Sequence, residues 1–188
     1  MRITGGTIRG RTVRVPPGVI RPAMDRMRES LFSILEPVGG SSFLDLFCGS
    51  GIMALEALSR GAASATLVES DRGKRRVIEA NMALADDTGS GARPRVIFAP
   101  VERFVQRERA AFDLIYADPP FAYHYKQDLL QRVARSRLVK ADTRIVIHLP
   151  APEQVTPDPE LLTLIDERLY GGSKVLFYSP SAGHSEVI

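Results

Sequence analysis

The tetrapeptide Asp118-Pro119-Pro120-Phe121 combines groups that could grip a flat, amine-bearing molecule. It follows the apolar run 112–117, which predicts a buried strand, and the two prolines end that strand because they cannot donate hydrogen bonds to a ladder. The carboxylate of Asp118 and the carbonyl of Pro119 can each accept one N–H, and the ring of Phe121 can stack on the plane. Open α/β sheets bind ligands at the carboxyl ends of their strands. The tetrapeptide therefore predicts an acceptor site for a planar amine, and a strand-ending turn without a ligand is the simpler alternative.

A second candidate site lies upstream, in the segment 43–54, which predicts a strand, a glycine turn and a helix. Gly49, Gly51 and Ala54 have the spacing that lets a backbone approach a cofactor closely. The next predicted strand ends at Glu69, about 20 residues on, where this fingerprint places an acid that accepts ribose hydroxyls. The block fits a nicotinamide cofactor as well as S-adenosylmethionine. The downstream tetrapeptide favours the second, because a hydride-transfer enzyme has no use for an amine clamp.

Segment 45–54, Glu69 and segment 118–121, in this order, resemble the motifs of class I S-adenosylmethionine-dependent amino-methyltransferases. The ends of the chain resemble one family within that class, the RsmD-type methyltransferases. The segments that carry this likeness are Arg2-Ile3-Thr4-Gly5-Gly6, Gly10-Arg11, 21–32 and 168–173. Members of that family methylate the exocyclic N2 of a guanine in small-subunit ribosomal RNA. The resemblance covers roughly residues 2 to 180 and implies the same reaction here.

Two positions depart from the family pattern. Ala23 stands where relatives usually have a threonine after an Arg-Pro pair. Pro100 follows the predicted strand 95–99, where relatives often have a polar residue near the adenine ring. Because Pro100 has no side-chain donor or acceptor, adenine would be held here by backbone groups and apolar walls.

The resemblance also implies a role for each motif residue. The implied cofactor is S-adenosylmethionine, with Asp45 near its ammonium and Glu69 on its ribose. Asp118 and the Pro119 carbonyl would accept the two amine hydrogens, while Phe121 stacks on the base. The predicted cofactor-binding residues are Asp45, Phe47, Gly49, Gly51, Glu69 and Asp118, and the predicted catalytic residues are Asp118, Pro119, Pro120 and Phe121.

Positive charge is concentrated at the amino terminus. Residues 1–28 contain Asp25 as their one acid and seven basic residues, namely Arg2, Arg9, Arg11, Arg14, Arg21, Arg26 and Arg28. The whole chain has 25 basic and 22 acidic residues, so the remainder has 18 basic and 21 acidic residues. The surplus of positive charge therefore lies entirely in residues 1–28. Arginine forks suit phosphates, and a basic segment attracts RNA by a salt-sensitive interaction. We predict RNA contact by Arg9, Arg11, Arg14, Arg21 and Arg28, with a solvated arm and a surface ion pair of Arg28 as alternatives.

Composition is typical of one soluble α/β domain. The chain has 188 residues, of which 44% are hydrophobic and 25% charged. No apolar run approaches the ~18 residues that span a bilayer, and no signal peptide opens the chain, so we expect a cytoplasmic protein. The single cysteine, Cys48, excludes an internal disulfide and is expected to be a small packing residue. No residue cluster suggests a metal, and we expect a monomer.

Alternating strand and helix patterns predict a Rossmann-like sheet with helices on both faces. It should be mostly parallel, with an antiparallel last strand that the resemblance implies. The predicted single domain, 1–188, has a basic arm or hairpin at 1–23, a core at 24–180 and a tail at 181–188. The predicted helices are Asp25 to Leu35, 52–60, 72–85 and 125–138, and the predicted strands are 43–47, 65–69, 95–99, 112–117, 143–149, 161–169 and 174–179.

Other functions fit parts of these patterns. The tetrapeptide also suits methylation of adenine N6 in DNA or of a protein glutamine, because each acceptor is a planar nitrogen. The basic arm argues against a small protein loop, and the lack of a target-recognition domain argues against a sequence-reading DNA enzyme. A non-catalytic RNA-binding assembly protein and an NAD-dependent oxidoreductase are more distant alternatives. The resemblance implies ribosomal RNA within a small-subunit assembly particle as the partner.

His148 ends an apolar strand and is expected to be a satisfied core residue and not a ligand.

Overall fold

The computed structural model describes residues 1–16 and 25–182. The predicted RNA contact Arg21, the departure at Ala23 and the tail beyond residue 182 lie outside the described residues. The chain divides into two compact units, Met1–Pro100 and Val101–Ile188. Within the described ranges, no helix has the length and apolar character needed to cross a membrane.

Helices and strands alternate in the first unit, as predicted. The elements are α1 (Asp25–Leu35), β1 (Ser42–Asp45), α2 (Ile52–Ser59), β2 (Ser64–Glu69), α3 (Arg75–Met82) and β3 (Arg95–Phe98). The strands lie in the order β3-β2-β1 and pair in parallel. Parallel strands end at the same edge of a sheet, so Asp45 and Glu69, the last residues of β1 and β2, lie at one edge.

The two first helices show why these segments fold as they do. The predicted bounds of α1 are confirmed, and Arg26 and Glu29 are exposed, as expected. Its buried apolar face consists of Met27, Leu31, Phe32 and Leu35. Each such side chain stabilises the fold by about 1.5–3 kcal/mol. Helix α2 is almost wholly apolar and is buried on every side, as a helix without a polar face must be.

The amino-terminal segment packs on the first unit as a small hairpin. Arg2 and Thr12 form an antiparallel bridge, and the Ile3 amide donates to the Arg11 carbonyl at 3.0 Å. The Thr7 amide donates to the carbonyl of Ser59 in α2 at 2.7 Å. The buried apolar side chains of the segment are Ile3, Ile8 and Val13. The arm is thus anchored by three buried apolar side chains, and its arginines are exposed.

The second unit contains α4 (Val101–Arg107), β4 (Leu114–Ala117), α5 (Lys126–Ala134), β5 (Arg144–Pro150), β6 (Leu162–Tyr170) and β7 (Ser173–Pro180). Its strands lie in the order β4-β5-β7-β6, where β4 and β5 are parallel and the other pairs antiparallel. The predicted antiparallel last strand is confirmed. Gly171 has a φ of 59°, which only glycine adopts easily, and it allows the tight turn between β6 and β7.

Several predicted bounds differ from those observed. The predicted helix 72–85 is an α-helix only over Arg75–Met82, with short 3₁₀ turns before and after it. The predicted helix 125–138 ends at Ala134. Helix α4 was not predicted, because its seven residues are too few to establish a helical period. The alternating architecture itself, with mostly parallel strands, is confirmed.

Candidate active site

The predicted glycine turn of the first unit has a left-handed backbone at both glycines. Gly49 and Gly51 have φ values of 55° and 79°, and Gly51 caps the amino terminus of α2. A Cβ at Gly51 would lie 2.5 Å from the end of Met82 and 3.0 Å from Leu67, so only glycine fits without repacking. A Cβ at Gly49 would meet nothing nearer than the Phe47 carbonyl oxygen at 4.0 Å. The backbone at Gly49 is therefore open to a close neighbour.

Glu69 holds this turn to the end of β2. Its Oε2 accepts the Gly49 amide at 3.2 Å and the Lys74 ammonium at 3.1 Å, while its Oε1 accepts the Asp71 amide at 2.8 Å. An ionised carboxylate has about four lone-pair positions, so a further donor can still be accepted. The geometry gives Glu69 a structural role that the sequence did not predict and leaves capacity for hydroxyl groups.

Asp45 and Phe47 begin the turn after β1. Asp45 is buried, with 1% of its surface exposed, and Phe47 is half-buried. Burial raises the pKa of the Cys48 thiol well above its usual range, and the carboxylates of Asp45 and Glu69 raise it further. A buried thiol with a raised pKa fits the predicted packing role of Cys48 and opposes a nucleophilic one.

The tetrapeptide of the second unit follows β4 directly. Pro119 is buried, Pro120 is exposed, and the ring of Phe121 is 39% exposed. Asp118 Oδ1 lies 3.0 Å from His148 Nδ1, and the side chains are 29% and 11% exposed. The parallel pairing of β4 with β5 places Ala117 opposite Ile147 and so brings the two following residues together. His148, expected to be a satisfied core residue, is mostly buried and has the predicted catalytic acid as its partner.

Lys126 holds the loop that carries Phe121. Its ammonium is almost fully buried and donates to the carbonyls of Phe121 and Tyr123 at 3.1 and 2.7 Å, and to Glu153 Oε1 at 2.8 Å. These contacts use all three N–H donors of a lysine. The Tyr123 hydroxyl donates to Glu102 at 2.6 Å, and burial together with this bond raises its pKa. This role of Lys126 was not predicted, because two of its three partners are backbone carbonyls, which no motif marks.

The predicted RNA contacts differ in accessibility. Arg9, Arg11 and Arg14 are exposed, and Arg11 pairs with Asp87. Arg28 is fully buried, and it donates to Asp25 at 2.5 Å, to the Arg2 carbonyl at 2.7 Å and to Glu56 at 3.3 Å. The ion-pair alternative for Arg28 is therefore observed, although inside the first unit instead of on a helix surface. Among the described residues, no group of three or more metal-ligating side chains occurs.

Two features define the class of Rossmann-like methyltransferases. One is the glycine turn with its strand-ending acid, and the other is the Asp-Pro-Pro-Phe segment after a later strand. A solved methyltransferase from Escherichia coli, yhhF, has the same fold, with a TM-score of 0.84 and 31% identity over 97% of this chain and 98% of its own. The family model described as conserved hypothetical protein 95 matches residues 1–179. The chain belongs to this family, and the resemblance to RsmD-type methyltransferases is confirmed.

Two relatives carry the name ribosomal RNA small subunit methyltransferase D. The one from Escherichia coli is 42% identical over 124 residues, which span 64% of this chain and 60% of that protein. The one from Haemophilus influenzae is 29% identical over 175 residues, which span 91% of this chain and 89% of that protein. A methyltransferase solved in complex with SAH shares the fold, with a TM-score of 0.67 at 16% identity over 85% of this chain and 50% of its own.

Proposed function

We propose that this protein methylates the exocyclic N2 amine of a guanine in small-subunit ribosomal RNA, with S-adenosylmethionine as the methyl donor. The observation that carries the proposal is the Asp118–Phe121 segment at the end of β4, with its acid held by His148 and its ring exposed. The names of the two relatives support ribosomal RNA as the substrate class. We also propose action on a small-subunit assembly particle by a cytoplasmic monomer.

The residues of the glycine turn suit the cofactor. S-adenosylmethionine supplies an electrophilic methyl group on a sulfonium, so the protein needs only to bind and orient it. The open backbone at Gly49 admits close approach, and Glu69 retains lone pairs for ribose hydroxyls. Asp45 provides a carboxylate for the ammonium, and Phe47 an apolar surface. We propose that these residues, with Gly51, form the cofactor site.

The Asp-Pro-Pro-Phe segment suits the acceptor. A guanine amine is a poor nucleophile, because its lone pair is delocalised into the ring. Asp118 and the Pro119 carbonyl would accept its two hydrogens and draw the nitrogen toward a tetrahedral geometry. Alignment of this kind can supply about 7–11 kcal/mol of the barrier. Stacking on Phe121 adds roughly 1–3 kcal/mol, and the base must leave its own stack to reach the ring.

The substrate is tested with small ribosomal subunits that lack their methylations. They are incubated with the protein and radiolabelled S-adenosylmethionine, and the labelled nucleoside is identified after digestion. N2-methylguanosine is the expected product. Label on another nucleoside would overturn the guanine assignment, and no transfer to RNA would favour DNA or protein as the acceptor.

The role of Asp118 is tested with Asp118→Ala in the same assay. We expect turnover to fall by at least about 100-fold, because the amine loses its main acceptor and its orientation. The affinity for S-adenosylmethionine, measured by calorimetry, should change little. Methyl transfer near the wild-type rate would refute the proposed mechanism.

A further inference from the structure

His148 contacts the acid on which the proposed function depends. The two side chains come from neighbouring parallel strands, and their polar atoms are 3.0 Å apart, within the usual hydrogen-bond range. The side chain of His148 on β5 is itself only 11% exposed, so packing restricts its ring. The contact therefore joins a restricted donor to a partly exposed carboxylate.

The burial of the other ring nitrogen indicates the tautomer. Nε2 of His148 is buried and has no hydrogen-bond partner among the described residues. An ionised carboxylate accepts only, so Nδ1 must carry the proton that it donates to Asp118. A proton on Nε2 would leave a buried donor unsatisfied, which costs about 1–3 kcal/mol. The neutral ring with its proton on Nδ1 satisfies both conditions.

One hydrogen bond on Oδ1 determines what Oδ2 can do. An aspartate side chain rotates about χ1 and χ2, so its carboxylate can sample several orientations. A fixed donor on one oxygen selects one of these orientations. The second oxygen of Asp118 is then left for an incoming N–H. Preorganised acceptors of this kind contribute to rate because they need no reorganisation during the reaction.

We infer that His148 is a positioning residue, which orients Asp118 so that its free oxygen accepts a hydrogen of the substrate amine. This inference rests on the proposed function, since it gives Asp118 the role of amine acceptor. His148 itself does not touch the substrate. Its effect should appear in the methyl-transfer step and leave cofactor binding unchanged.

Two substitutions separate the hydrogen bond from packing. His148→Leu keeps a similar volume and removes the donor, whereas His148→Asn places an amide N–H near the position of Nδ1. We expect single-turnover transfer to fall about 10- to 100-fold in His148→Leu, as for a small misplacement of a reacting group. His148→Asn should recover most of the rate. A wild-type rate in His148→Leu, or equal losses in both variants, would overturn the inference.

A combined variant shows whether His148 acts through Asp118. In the Asp118→Ala background, His148→Leu should cause no further loss, because the group that it orients is gone. An additive loss would mean that His148 acts by another route and would overturn the inference. If Asp118→Ala alone retained the wild-type rate, the proposed function would fail instead, so the two failures are distinguishable.

The tautomer offers a readout that does not depend on activity. Nitrogen-15 spectra of the histidine rings report which nitrogen is protonated, and the chain has three histidines, so comparison with His148→Asn assigns the signal. We expect a proton on Nδ1 in the wild type and a shifted signal in Asp118→Ala. A proton on Nε2 alone would contradict the donor role.

Discussion

Glu69 shows how one carboxylate can serve structure and ligand together. It holds the Gly49 amide, the Asp71 amide and the Lys74 ammonium, although the sequence predicted only a ribose contact. The motif predicted the residue type and its place after a strand. It did not predict the three donors, because they depend on how the turn and the following 3₁₀ segment fold back on that side chain.

Cys48 provides a prediction at the residue scale. Its thiol pKa is raised by burial first and by nearby carboxylates second, and the thiolate is the reactive form. We expect the native protein to react far more slowly with iodoacetamide at pH 8 than the unfolded protein does. Mass spectrometry of the single cysteine, with and without denaturant, measures this. Equal rates in the two states would contradict the buried thiol.

The raised pKa of the Cys48 thiol also makes the stability of the fold depend on pH. A thiol whose pKa is raised by folding favours the native state fully below its unfolded pKa, about 8.5, and this contribution is lost as pH rises through the folded pKa. The free energy of unfolding should therefore decline above that pH, and less so in Cys48→Ala.

The presence of the longer helices was easier to predict than the residues at which they begin and end. Helix α1 matches its prediction at both ends, because its apolar face repeats with helical spacing and Asp25 opens it. The helix predicted at 72–85 breaks into three pieces, since a 3₁₀ turn and an α-turn have similar local preferences. The short helix α4 was missed for lack of a repeat.

The glycine turn gives a paired prediction at the element scale. Gly51→Ala should lower the free energy of unfolding by about 1–2 kcal/mol for a left-handed backbone and by a further 1–3 kcal/mol for overpacking against Met82 and Leu67. Gly49→Ala should incur only the backbone cost, because its surroundings are open. It should nonetheless weaken S-adenosylmethionine binding more than its loss of stability explains.

Denaturant unfolding and calorimetry test both variants. Comparable stability losses in the two would mean that the crowding at Gly51 relaxes freely. Unchanged cofactor affinity in Gly49→Ala would remove this glycine from the proposed cofactor site.

At the scale of the whole molecule, the charge distribution bears on RNA binding. We expect the triple substitution of Arg9, Arg11 and Arg14 with alanine to weaken binding to small subunits and to flatten its salt dependence. Each lost phosphate contact should reduce the slope by about 0.7–0.9. Arg11 must give up its ion pair with Asp87 to bind a phosphate, so its contribution to RNA binding should be the smallest of the three.

A matched control removes three exposed arginines elsewhere, namely Arg72, Arg76 and Arg103. Binding measured over a range of salt concentrations should change less in the control, although the net charge falls equally. Equal slopes in the two triple variants would mean that only overall charge matters and that the arm is structural.

The local features of this protein can be predicted from short stretches of sequence. The alternation of strands and helices follows from neighbouring residues, and so do the glycine turn at Gly49 and Gly51 and the break after β4. These features depend on the period of the apolar residues and on the backbone sterics of glycine and proline, which act over a few residues. They were sufficient to place the chain in its family and to select Asp118 as the candidate acid.

The contacts between distant side chains, in contrast, depend on how the whole chain folds. His148 contacts Asp118 across 30 positions of sequence because the register of two parallel strands makes them neighbours. Arg28 is buried with Glu56, 28 positions away, although its helix position alone suggested a surface. Such partners depend on strand register and on the packing of distant elements. No local pattern encodes them, and for this reason the site's supporting contacts emerged only from the fold.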